Sequence, residues 1–120
     1  FYFHDYAVDH IVMIGSIEKS IFSCMPAVYD LWFKERTSDN ELYGTLKCFL
    51  QQNASVVATA KAMFAHRNTI QYRMKKIFDL LECDLEDSYA REYCSISIRI
   101  IELYEKKYGE QYIIEELHLR

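Results

Sequence analysis

The stretch His66-Arg67-Asn68-Thr69-Ile70-Gln71-Tyr72-Arg73-Met74-Lys75-Lys76 concentrates hydrogen-bond donors without one carboxylate. Arg67 offers a planar fork of N–H groups that fits O6 and N7 of guanine. Asn68 ends in one acceptor and one donor group, which fits N6 and N7 of adenine. The hydroxyl of Thr69, beside the N–H groups of a first helical turn, suits a phosphate. Lys75 and Lys76 are point charges, which hold phosphates and carry no sequence information. These residue types offer recognition of a polyanion with readable edges, not bond-making chemistry.

Catalytic patterns are missing from the rest of the chain. The four histidines, His4, His10, His66 and His118, include no pair spaced for one helical face. There is no H-E-x-x-H, no glycine-rich phosphate loop and no G-x-S-x-G. His4-Asp5 and Asp9-His10 read as a helix cap and a surface residue. Cys24, Cys48, Cys83 and Cys94 show no C-x-x-C spacing. They read as buried or half-buried thiols of a reducing cytoplasm, with no metal site. No enzyme activity and no cofactor are expected.

Charge distribution points the same way. The net charge is −4, yet residues 42–78 contain no Asp or Glu and include Lys47, Lys61, Arg67, Arg73, Lys75 and Lys76, a segment at +6. That leaves eight of the fourteen basic residues and all eighteen acids to the remainder, at −10. A polyanion would dock on the positive segment and avoid the rest.

The elements that must position these residues are helices. Three glycines and one proline are too few for the turns of a sandwich or barrel, and 51% hydrophobic content excludes a disordered tail. No apolar run reaches a membrane span. Short helices are expected over residues 4–14 and 17–24. A third begins with Pro26 in its first turn and runs to about Arg36, with Val28, Tyr29, Trp32 and Phe33 on its apolar side. Ser38-Asp39-Asn40-Glu41 has capping-box spacing, with Ser38 as the cap and Glu41 reaching back, for a helix to about Gln52. Asn53-Ala54 is a break, and Ser55 caps a short helix over residues 55–63, rich in alanine. After a turn at Phe64-Ala65-His66 comes the clearest periodicity, Ile70, Met74, Ile77 and Leu81, for a helix over residues 67–82. Asp87 or Ser88 caps a long helix over residues 88–107, with Tyr89, Tyr93, Ile96, Ile100 and Leu103 as its stripe, widened by Ile98 and Ile101. Gly109 ends it, ahead of a tail or short helix. The opening Phe1-Tyr2-Phe3 reads as the start of a piece of a longer polypeptide.

A short helix, a tight turn and a donor-bearing amphipathic helix over residues 55–82 make a helix-turn-helix pattern. Ala60 lets the first helix approach the second. With Ile70, Met74 and Ile77 turned to the body, Asn68, Thr69, Tyr72, Lys75, Lys76 and Asp79 lie opposite. Arg67 and Gln71 fall on one flank, and His66 and Arg73 on the other. Tyr72 sits where a solvated helix stays polar, which calls for a partner to its ring.

Residues 42–104 resemble the C-terminal helix-turn-helix domain of the purine-catabolism and sugar-diacid regulators, the PucR/CdaR family. The stretches that carry the resemblance are Glu41-Leu42-Tyr43-Gly44-Thr45-Leu46, Thr59-Ala60 and His66-Arg67-Asn68-Thr69-Ile70-Gln71-Tyr72-Arg73. The last is similar to the signature H-R-N-T-L-x-Y-R, with Ile for Leu. Asp84-Leu85-Glu86-Asp87 and Pro26-Ala27-Val28 resemble the family's acidic step and entry helix. The resemblance implies a transcriptional regulator, often an activator of a catabolic operon, whose small-molecule effector binds a region outside this sequence. It implies contacts to DNA from His66, Arg67, Asn68, Thr69, Gln71, Tyr72 and Arg73. One departure stands out: Phe64 occupies a turn position where many helix-turn-helix motifs have Gly.

The expected architecture is all-α, a multi-helix domain containing a helix-turn-helix without winged elements. The expected divisions are residues 1–37, helices packed on the DNA-binding domain; 38–108, that domain itself; and 109–120. The expected partners are the major groove of double-stranded DNA and a second copy in a homodimer, with no membrane, in the cytoplasm. Two rival readings are a solvated basic helix and a helical protein-interaction module using the Tyr/Ile stripe of residues 89–104.

Overall fold

The computed structural model describes residues 26–38, 40–82 and 84–118, with side chains to residue 115. The helices expected over residues 4–14 and 17–24, and Cys24 and Cys83, lie outside that set. Six helices appear among the described residues, with no strand between them: α1 Pro26–Ser38, α2 Leu42–Gln51, α3 Val56–Ala62, α4 Arg67–Leu81, α5 Ser88–Tyr108 and α6 Glu110–His118. The fold is all-α, as the scarcity of turn residues implied.

Local chemistry sets most helix ends as the sequence suggests. Pro26 opens α1. The Ser55 hydroxyl accepts from the Ala58 N–H at 3.1 Å to cap α3. The Asp87 carboxylate accepts from the Tyr89 N–H at 3.0 Å to cap α5, and Gly109 closes it at φ 89°. The break after α2 is built on Asn53 and Ala54, both left-handed at φ 56° and 62°. There the Ala54 N–H reaches the Phe49 carbonyl at 2.9 Å and the Asn53 N–H reaches Leu50 at 3.3 Å, the paired bonds of a Schellman end.

The capping box expected at Ser38 is not formed. Ser38 is the last residue of α1, and its hydroxyl donates back to the Lys34 carbonyl at 2.7 Å. Asn40 takes the task instead, its side-chain oxygen accepting from the Leu42 N–H at 3.2 Å. Glu41 is drawn away from its own helix toward Arg73 on α4. A long-range cation competes successfully with a local amide because it offers full charge.

The core gathers Val28, Leu31 and Trp32 of α1, Tyr43, Leu46 and Phe49 of α2, Ile70, Met74, Ile77 and Leu81 of α4, and Ile98, Ile101 and Tyr104 of α5. Helix α2 packs on α1, α3, α4 and α5, while α1 also touches α4 and α5. Burying the four apolar side chains of α4 contributes roughly 6–12 kcal/mol before entropy is counted. Ion pairs rim this core: Arg36 joins α1 to Glu105 at 3.0 Å and Glu110 at 3.6 Å, and Lys47 joins α2 to Glu102 at 2.6 Å. Burial pushes the Tyr43 phenol far above its usual range, with Glu102 adding to the effect.

Helix α5 buries only part of the expected stripe, at Ile98, Ile100 and Ile101. Its buried residues are Cys94, Ser97, Ile98, Ile100, Ile101 and Tyr104, whereas Tyr89 is 79% exposed and Ile96 42%. Two apolar lines run along this helix, and the small residues Cys94 and Ser97 lie on the buried side. Cys48 is half-buried and Cys94 buried, both as free thiols.

Candidate nucleic-acid interface

Helix α4 is presented by α3 and the turn between them. Ala60 and Thr59 are buried on the inner side of α3, and the Thr59 hydroxyl donates to the Ser55 carbonyl at 2.7 Å, so its burial leaves no unmet donor. The turn is a second Schellman end: Ala65 N–H to Ala60 carbonyl at 3.0 Å and Phe64 N–H to Lys61 carbonyl at 3.3 Å. Phe64 holds the left-handed position at φ 53°. The turn therefore keeps the conformation a glycine would give, with a phenylalanine in its place.

His66 is the N-cap of α4. Its Nδ1 accepts from the Asn68 N–H at 3.0 Å, which leaves Nε2 as the ring's donor. The His66 carbonyl also takes the Thr69 N–H at 3.0 Å and the Ile70 N–H at 3.2 Å. The first-turn amides expected to cradle a phosphate are thus largely engaged within the helix. His66→Ala is expected to lower stability by about 1 kcal/mol and His66→Asn to restore it, as followed by thermal unfolding. An unchanged midpoint for His66→Ala would remove the capping role.

Along α4, Arg67, Asn68, Thr69, Gln71, Tyr72, Lys75 and Lys76 are all exposed. They occupy one side of the helix, opposite Ile70, Met74, Ile77 and Leu81. Lys76 Nζ lies 4.7 Å from the centre of the Tyr72 ring, so that ring, 62% exposed, already has a cation on one face. Arg73 differs from the rest. It is half-buried, paired with Glu41 and 3.4 Å from the Thr45 hydroxyl, and so ties α4 to the start of α2.

Two of the six cations in the acid-free segment therefore face acids, Lys47 on Glu102 and Arg73 on Glu41. Lys61, Arg67, Lys75 and Lys76 remain exposed and in no ion pair among the described residues. Lys61 is an exposed cation on α3, outside α4. No group of His, Cys, Asp and Glu able to hold a metal occurs among the described residues, nor does a helix long and apolar enough to cross a membrane.

Comparison with known proteins gives this geometry a context. Residues 42–100 match the family model described as the PucR C-terminal helix-turn-helix domain. The chain is similar to the proline-responsive transcriptional activator PutR of Bacillus subtilis (strain 168), 36% identical over 58 residues, 48% of this chain and 14% of that protein. It is similar to the carbohydrate diacid regulator of Escherichia coli (strain K12), 42% identical over 52 residues, 42% of this chain and 14% of that protein. It is also similar to the purine catabolism regulatory protein of Bacillus subtilis (strain 168), 30% identical over 67 residues, 56% of this chain and 13% of that protein. The match thus spans about one seventh of each relative's length. No solved structure matches the chain.

Proposed function

From the premise that residues 42–100 form a PucR C-terminal helix-turn-helix domain, we propose that this chain is the sequence-specific DNA-binding part of a transcriptional regulator, an activator of a catabolic operon. The observation that carries the reading is the carboxylate-free exposed side of α4, from Arg67 through Lys76, backed by a fully buried opposite side. A helix of this kind enters the major groove with its first turn leading.

In this reading Arg67 and Asn68 read base edges, and Gln71 and Tyr72 contact the groove further along. Thr69, Lys75 and Lys76 hold the phosphate backbone. His66 caps the helix and offers Nε2 to the DNA. Arg73, engaged with Glu41 and Thr45, fixes the tilt of α4 on the body and meets DNA at the margin of the surface. Residues 38–108 are the DNA-binding unit, α1 packs on it and residues 109–120 follow it. The working form is a cytoplasmic homodimer on two half-sites, and a small-molecule effector binds outside residues 1–120.

The test is salt dependence. Binding of the 120-residue chain to duplex DNA should weaken steeply between about 50 and 200 mM salt. Lys75→Ala and Lys76→Ala should each weaken all sequences alike and flatten the log–log salt slope by about one unit. Salt-independent binding, or no binding to any duplex, would overturn the reading. Unequal losses across sequences would remove the two lysines from the phosphate role.

A further inference from the structure

Phe64 combines two unfavourable features. Its side chain is 98% exposed, the most solvated large apolar group among the described residues. Its backbone is left-handed at φ 53°, a conformation that costs a β-carbon-bearing residue free energy and costs glycine none. A ring that buries no area adds nothing to folding. A glycine would close the same Schellman turn with less strain. Folding therefore gives no reason for a phenylalanine at this position.

Its location supplies one. Phe64 is two residues before His66, the cap of α4, so its Cα lies within about 7 Å of the helix start. Arg67 and Asn68 follow immediately, both exposed, and Lys61 stands three residues before it on α3. The ring is an apolar projection among exposed donors and cations, at the end of α4 that leads into the groove. A surface of that charge complements DNA, whose major groove offers one apolar group, the C5-methyl of thymine.

We infer that Phe64 is a specificity-determining residue that buries its ring against a thymine methyl at the edge of the site read by α4. The inference rests on the DNA-binding reading above. Binding desolvates the ring that folding leaves in water, so the strained turn serves to hold it in front of the helix.

The experiment uses the 120-residue chain and a duplex recovered by selection from a randomised library, made with thymine or with uracil, which lacks only the C5-methyl. Phe64→Ala should lose about five- to tenfold in affinity on the thymine duplex. Wild-type protein should lose a similar factor when uracil replaces the contacted thymine, and Phe64→Ala should be indifferent to that change. Phe64→Gly should match Phe64→Ala in binding while its thermal midpoint is equal to or above wild type, because the glycine relaxes the turn. Phe64→Ala binding as tightly as wild type would overturn the inference, with the DNA-binding reading intact if Asn68→Ala still loses selectivity. An equal loss on both duplexes would put the ring on the sugar edge and overturn the thymine assignment. Loss of self-association by Phe64→Ala without DNA would assign the ring to a second copy. A wild-type chain that binds no duplex would overturn both readings.

Discussion

Replacing Trp32 by alanine should cost about 3–5 kcal/mol of stability, the largest single loss expected from the folded core. Trp32 is 0% exposed and is the only tryptophan. Its ring stacks on Tyr29 with centroids 5.9 Å apart, and the Arg36 guanidinium lies 4.9 Å from its centre. Removing the ring leaves a void between α1 and its neighbours and frees the guanidinium that reaches Glu105 and Glu110. The measurement is urea unfolding followed by far-UV circular dichroism, since the variant has no indole to report. A loss below about 1 kcal/mol would mean that α1 is not integral to the core. The outcome bears on function because the family match begins at Leu42, beyond α1, while α1 packs on α2, α4 and α5. If the loss is large, the helix that presents Arg67 and Asn68 depends on residues outside the matched stretch.

The fold was legible where one local rule governed it. Ser55, Asp87 and Gly109 end their helices through bonds within a few residues, and Ile70, Met74, Ile77 and Leu81 follow a single period. It was not legible where two rules competed. Glu41 has capping-box spacing from Ser38, but the cation on Arg73 lies within reach only after α2 and α4 pack, and no sequence window contains both. On α5 two apolar lines run in parallel. The line through Cys94, Ser97 and Ile101 went inside, leaving Tyr89 and Ile96 outside.

The candidate site shows the same division. The donors of α4 and their exposure follow from helical period alone, and His66, Arg67, Asn68, Thr69, Gln71, Tyr72, Lys75 and Lys76 all come out on the solvent side. Their engagement does not follow from period. The capping bond of His66, the cation over Tyr72 and the pairing of Lys47 and Arg73 are properties of the packed chain. The acid-free segment is consequently less positive at its surface than its composition suggests. What remains exposed outside these ion pairs is Lys61, Arg67, Lys75 and Lys76.

Arg67→Ala and Asn68→Ala should each cost about 1–3 kcal/mol of discrimination between a selected site and random DNA, a factor of roughly 5 to 150. Both side chains leave the first turn of α4 on its exposed side. Neither contributes to the core, so unfolding midpoints should stay near wild type. That separates loss of reading from loss of fold. The two substitutions should also differ from each other. Arg67 adds a positive charge near the phosphates, so its removal should weaken binding to random DNA as well, whereas Asn68 is neutral and its removal should leave nonspecific affinity almost untouched. The checking measurement is competition gel shift of the 120-residue chain on the selected duplex against random duplex, at one fixed salt concentration. Wild-type selectivity in both variants would mean that the first turn of α4 does not read bases. Sequence preference would then have to come from Gln71 and Tyr72 further along α4, from Phe64, or from deformation of the duplex.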